Sequence, residues 1–113
     1  MEIEVGEYVR TTDGEIHKIK SIEDNFIEYE NGYGIFVREI DYIINHSKEI
    51  IDLIEKGDYV NGKRVIYVAS IENKYDEEEL CVFVEETQDC IEAKDIKSIV
   101  TKEMMKSVEY RIN

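Results

Sequence analysis

The sequence predicts a mainly β protein with short helices, arranged as two small tandem units packed together, residues 1–54 and 55–113. Three observations carry that expectation. Hydrophobic residues make up 42% of the 113, and they are mostly Ile and Val with eight Tyr and three Phe, types that suit a pleated, half-buried surface. Turn signals at Asp13-Gly14, Asp24-Asn25, Asn31-Gly32 and Asn61-Gly62, and a polar stretch from Glu72 to Glu79, cut the chain into strand-length pieces. Short motifs also recur at offsets of 51 to 56 residues: Gly6-Glu7-Tyr8-Val9 against Gly57-Asp58-Tyr59-Val60, Arg38-Glu39-Ile40 against Lys94-Asp95-Ile96, and Ser47-Lys48-Glu49 against Thr101-Lys102-Glu103.

Taken in order, the alternating apolar runs predict strands over 8–11, 15–23, 26–30, 34–38, 58–60, 63–71, 80–85, 90–93 and 108–112. Ile16, Ile19 and Ile22 recur every three residues. The turns on either side leave room for only one short element, so a strand carrying a bulge is expected. Asn31-Gly32 and Asn61-Gly62 are the strongest hairpin signals, because a two-residue type I′ turn needs positive φ at both centres. Ser47-Lys48-Glu49 before Ile50, Ile51, Leu53 and Ile54 predicts a capped amphipathic helix ending near Gly57, and Thr101-Lys102-Glu103 before Met104 and Met105 repeats the arrangement. Units of this size bury little apolar area and no Gly/Ser/Pro-rich linker separates them, so they are expected to lean on each other.

Charge narrows the function classes. With 14 Lys and Arg against 27 Asp and Glu, the net charge is −13. A field of that sign repels nucleic acid, so direct DNA or RNA binding is not expected. Residues 1–54 hold 13 acids against 5 bases, net −8, and residues 55–113 hold 14 against 9, net −5. The N-terminal residues carry neither a basic start nor a long apolar run, which predicts no leader, no membrane association and a cytoplasmic location. In such a compartment Cys81 and Cys90 are expected to be ordinary buried or half-buried thiols.

Gly6-Glu7-Tyr8-Val9-Arg10-Thr11 with Asp13-Gly14, then Ile16, Ile19 and Ile22, resembles the opening of a small SH3-like barrel, so each unit is expected to be such a barrel. The stretch from His46-Ser47 through Ile51-Asp52-Leu53-Ile54 to Gly57-Asp58-Tyr59-Val60-Asn61-Gly62, with Ile96-Lys97-Ser98-Ile99-Val100-Thr101-Lys102-Glu103, is similar to short phage and prophage proteins of Gram-positive bacteria. That resemblance implies an accessory or anti-defence role, inhibitors of the anti-CRISPR type included.

Catalytic and metal constellations fall short. His17 and His46 sit apart, Cys81 and Cys90 lack the spacing of a zinc knuckle, and Asp76-Glu77-Glu78-Glu79 lacks the alternating ligands and turn glycine of a calcium loop. Ser21, Ser47, Ser70 and Ser98 have no nucleophile elbow, and there is no Gly-rich phosphate loop. The expectation is a non-enzyme without cofactor or metal. Carboxylates at strand edges and turns, namely Glu28, Glu30, Asp76, Glu77, Glu78, Glu79, Glu85, Glu86, Asp89 and Glu92, are the candidate contacts to a basic bacterial protein such as a nucleic-acid-handling defence enzyme. The same residues also serve solubility and blunt sheet edges. Two other readings compete. Tyr29, Tyr33, Phe36, Tyr42, Tyr59, Tyr67 and Tyr75, with cations among Arg10, Lys18, Lys20, Arg38, Arg64 and Lys74, would suit a peptide groove or a sponge for a nucleotide signal. A structural virion component is the third reading, and an exposed edge at 108–112 would allow a homodimer.

Overall fold

The computed structural model describes residues 2–72, 74–86 and 90–108, and the chain divides into two compact units, 1–53 and 54–113. In the first unit β1 (Tyr8–Thr11), β2 (Ile16–Glu23), β3 (Phe26–Tyr29) and β4 (Gly34–Phe36) form a meander. A 3-10 helix, Val37–Tyr42, leads into β5 (Ile43–Ser47), and a second 3-10 turn, Ile50–Leu53, comes after it. The sheet is antiparallel in the order β4-β3-β2-β1-β5, and Val9, Ile19, Ile27, Tyr29 and Ile43 form its core with Ile3, Ile22 and Ile35 against it. The three-residue spacing of the β2 isoleucines is resolved by a bulge. Pairing with β3 shifts between Ile19 and Ser21, so Ile19 and Ile22, which would face opposite ways on a regular strand, both reach the core.

The second unit repeats the plan with β6 (Tyr59–Val60), β7 (Lys63–Glu72), β8 (Glu78–Val84), β9 (Cys90–Glu92), a 3-10 helix Ala93–Asp95, β10 (Ile99–Val100) and α1 (Lys102–Val108). Its order, β10-β6-β7-β8-β9, again sets the last strand beside the first. Val60, Val65, Val82 and Val84 are buried in it. Both sheets are open among the described residues, so the mainly β class stands while neither unit is a closed barrel.

The repeated Gly-acid-Tyr-Val motif has one structural job in both units. Gly6 and Gly57 take positive φ (89° and 95°), which a side chain tolerates poorly, and donate their N–H to the carbonyls of Ile19 and Val65. Glu7 and Asp58 are buried, and each carboxylate accepts from the backbone N–H three residues earlier, Glu4 at 2.9 Å and Glu55 at 2.7 Å. The second oxygen ties the start of each sheet to a later segment of the same unit: Glu7 to His46 Nδ1 at 2.6 Å, Asp58 to the Lys102 N–H at 2.9 Å.

Several expectations need correction. Asn61-Gly62 has positive φ at both positions, as does Asp24-Asn25, whereas Asn31-Gly32 sits in a longer loop where only Gly32 does. That loop is closed by Asn31 Oδ1 accepting from the Tyr33 N–H, a side chain mimicking a backbone turn. The helix expected to end near Gly57 is only the 3-10 turn Ile50–Leu53, although the Ser47 hydroxyl accepts from the Glu49 N–H as a cap does and donates to Asp52. The strand expected at 34–38 stops at Phe36, and β5 and β10 lie outside the expected strands. Of the strand expected at 108–112, Val108 ends α1 and 109–112 lie outside the described residues. Cys81 and Cys90 are not free thiols. They are joined as a disulfide linking β8 to β9, with Cα atoms 5.6 Å apart.

Candidate functional site

Two places gather side chains that, apart from Tyr29 and Ile35, the core does not use. The first is a cavity of about 410 Å³ in the first unit. Glu15, just before β2, and His17 on it reach the cavity two residues apart; Asn31 and Tyr33 come from the β3–β4 loop, and Tyr42 from the 3-10 helix. Tyr29 on β3 also lines it, and the His17 imidazole stacks on the Tyr29 ring at 4.2 Å between centroids and 6° between planes. With Nε2–H of His17 donating to Glu15 at 3.3 Å, Nδ1 is left to accept from the Asn31 amide at 3.5 Å, so one tautomer serves both contacts. Gly34, on the same wall, is obligatory: a Cβ there would lie 2.0 Å from the Ile27 carbonyl oxygen.

Tyr29 is 4% exposed, and its hydroxyl has no hydrogen-bond partner among the described residues. Burial raises its pKa above the ordinary value, and the charges of Glu15 and Glu39 raise it further. The described lining of the cavity carries the Glu15 carboxylate and neither Lys nor Arg. None of the cations considered for a nucleotide lines it: Arg10 is buried and donates to the Leu53 carbonyl, Lys18 stands over the Tyr8 ring, Arg38 over Phe36 and Lys74 over Tyr75, while Arg64 pairs with Glu85.

The second place is an acidic arm in the second unit. Among the described residues, β6 pairs with β7 only at Lys63 and Arg64, and β9 pairs with β8 only from Cys81 to Phe83. Ser70, Ile71 and Glu72 with Glu78, Glu79 and Leu80 therefore continue as a two-stranded ribbon beyond both neighbours. Its end carries Glu72, Asp76, Glu77, Glu78 and Glu79, all exposed. Glu72 and Glu78 are direct cross-strand partners, a like-charge pair that disfavours the hairpin. At the arm's base, hydrogen bonding to Glu92 holds the Lys94 pKa up, and Asp95 and Glu79 add to it through their charges.

The ten carboxylates expected to contact a partner do not form one patch. Glu28 and Glu30 belong to the first unit, where Glu28 accepts from the Ser21 hydroxyl. Asp76, Glu77, Glu78 and Glu79 sit together on the arm, with Glu92 beside its base. Glu85 and Glu86 come after the far end of β8, roughly 20 Å from the tip at strand rise, and Asp89 lies outside the described residues. Sequence reasoning missed Glu72, though its position opposite Glu78 is clear once the hairpin register is known. It also missed Glu15, His17 and Asn31, for which the signal was the two-residue spacing on β2.

The Glu7–His46 pair has the look of an acid–base couple, but Asp58 does the same anchoring in the second unit with a backbone N–H as partner, so structure accounts for it. Among the described residues no group of three His, Cys, Asp or Glu could hold a metal ion, and no helix is long and apolar enough to cross a membrane. No family model matches the chain, and neither a curated protein nor a solved structure is similar to it. Function has to be argued from the two places themselves.

Proposed function

We propose that this chain is a non-catalytic accessory protein of phage type, built on two SH3-like units, that binds and inhibits a basic, nucleic-acid-handling bacterial protein through the acidic arm of its second unit. The SH3-like frame is supported by a strand order, and a 3-10 helix before the last strand, that occur twice. The observation that carries the function is the arm: a ribbon with no flanking strand among the described residues, ending in exposed carboxylates, with a like-charge pair across it. That repulsion is relieved when the arm enters a positive groove, so binding a cationic surface gains more than a single carboxylate would suggest.

The test is capture from a bacterial lysate at low salt by the wild-type chain and by a variant with Asp76, Glu77, Glu78 and Glu79 changed to Lys, the bound proteins being identified by mass spectrometry. The expected result is a basic nucleic-acid-binding protein that is released as salt rises, is displaced by DNA or RNA, and is not retained by the variant. Equal retention by the variant, or binding indifferent to salt, overturns the proposal.

A further inference from the structure

We propose that the first-unit cavity is a binding site for a guanidinium group of the arginine type, stacked against Tyr33 and Tyr42 with Glu15 as its counter-ion. The inference stands on a different unit from the acidic arm and does not depend on it. Its first support is the cavity's size, which lies within the range of small-ligand sites and leaves room for a guanidinium with its methylene stem. The second is what the walls offer. Tyr33 is 78% exposed on a loop tip, a position at which a ring gains nothing from the core, and Tyr42 is half-buried facing the same space. Aromatic faces attract cations, and a planar guanidinium also stacks on them.

The third support is the polar set. The Glu15 carboxylate is half-exposed and keeps acceptor capacity beyond its bond from His17. A guanidinium brings its N–H donors in one plane, a fork that matches a carboxylate. A phosphate or carboxylate ligand would find no Lys or Arg on the walls and a carboxylate opposite it. A quaternary ammonium would satisfy the rings but offer the Glu15 carboxylate no N–H donor.

NMR titration of the full chain with capped arginine, capped citrulline and capped lysine tests the assignment, since citrulline keeps the shape and loses the charge. Agmatine and a capped Gly-Arg-Gly peptide separate the sources: a free small molecule or a protein side chain. The expected result is that arginine shifts the resonances of His17, Tyr29, Tyr33 and Tyr42 and binds at least about tenfold more tightly than citrulline and several-fold more tightly than lysine. Glu15→Gln, at a half-exposed carboxylate, is expected to erase the preference over citrulline. Tyr33→Ala, at a ring 78% exposed, is expected to fold as stably as wild type yet bind arginine several-fold more weakly, which a ring without a ligand would not do. Equal binding of citrulline, an unchanged preference in Glu15→Gln, or no shift at these rings overturns the inference.

Discussion

Asp58 is the residue on which the second unit's stability is expected to turn. Its two carboxylate oxygens accept from the Glu55 N–H at 2.7 Å and the Lys102 N–H at 2.9 Å, and the residue is fully buried. Asp58→Ala removes both acceptors and leaves two amides without them. Hydrogen bonds to a charged group contribute about 1.5–3 kcal/mol each, so the loss is about 3–6 kcal/mol. A unit of about 60 residues has roughly 3–9 kcal/mol to lose, by the usual stability per residue. The variant should therefore leave the second unit largely unfolded at room temperature or stable only without urea. Urea unfolding monitored by amide resonances reads the two units separately, with Glu78→Ala as a control that relieves the repulsion at the arm and should unfold at or above the wild-type midpoint. If Asp58→Ala unfolds within about 0.5 kcal/mol of wild type, the twin-carboxylate anchor is not what holds the repeated strand opening, and the argument from it fails.

Two further outcomes are expected from the same structure. Reducing the Cys81–Cys90 bond, nine residues apart in sequence, should cost the second unit about 2.5 kcal/mol by loop-closure entropy, read as a lower urea midpoint in dithiothreitol and matched by Cys90→Ser; an unchanged midpoint would mean the bond constrains nothing. Glu7 is held below the usual carboxylate pKa chiefly by its hydrogen bond to His46, against the opposing effect of burial, so its stabilising contribution is complete above the unfolded value near 4.5 and is lost as pH falls through the lower folded value. The stability gap between wild type and Glu7→Gln should then narrow as the pH drops below that region, and a gap constant with pH would refute the pairing.

How far the sequence could be read depended on whether a signal was local. The bulge in β2 was legible because three isoleucines at a spacing of three, boxed between two turns, admit few other solutions, and the repeat was legible because Gly57-Asp58-Tyr59-Val60 copies Gly6-Glu7-Tyr8-Val9. β5 and β10 were not legible. Residues 43–47 contain Asn45 and His46, and their strand character comes from pairing with β1, a partner some 35 residues away in sequence. The disulfide was hidden for a related reason: no local signal around Cys81 or Cys90 reports that β8 and β9 lie side by side, and the bond depends on that pairing. At the cavity, Tyr29, Tyr33 and Tyr42 were visible as surplus aromatics, but only the β2–β3 and β3–β4 pairings bring Glu15, His17 and Asn31 to them.

The two units use the same frame differently, and the difference tracks the loops that the frame leaves unconstrained. Each needs its glycine, its buried acid and its Tyr-Val strand to start the sheet, and neither can vary those without losing the pairing they set. What can vary is the connection between the second and third strands: two residues, Asp24 and Asn25, in the first unit, and the much longer extension of β7 and β8 in the second. A tight turn there leaves the neighbouring β3–β4 loop as the projecting feature, with Tyr33 at its tip and the cavity behind it. A long hairpin instead carries charge away from the sheet, and a ribbon with no strand beside it among the described residues would pair with other strands unless something prevented it. Five carboxylates at its end oppose such pairing by repulsion, and the proposed docking on a basic surface draws on the same charge.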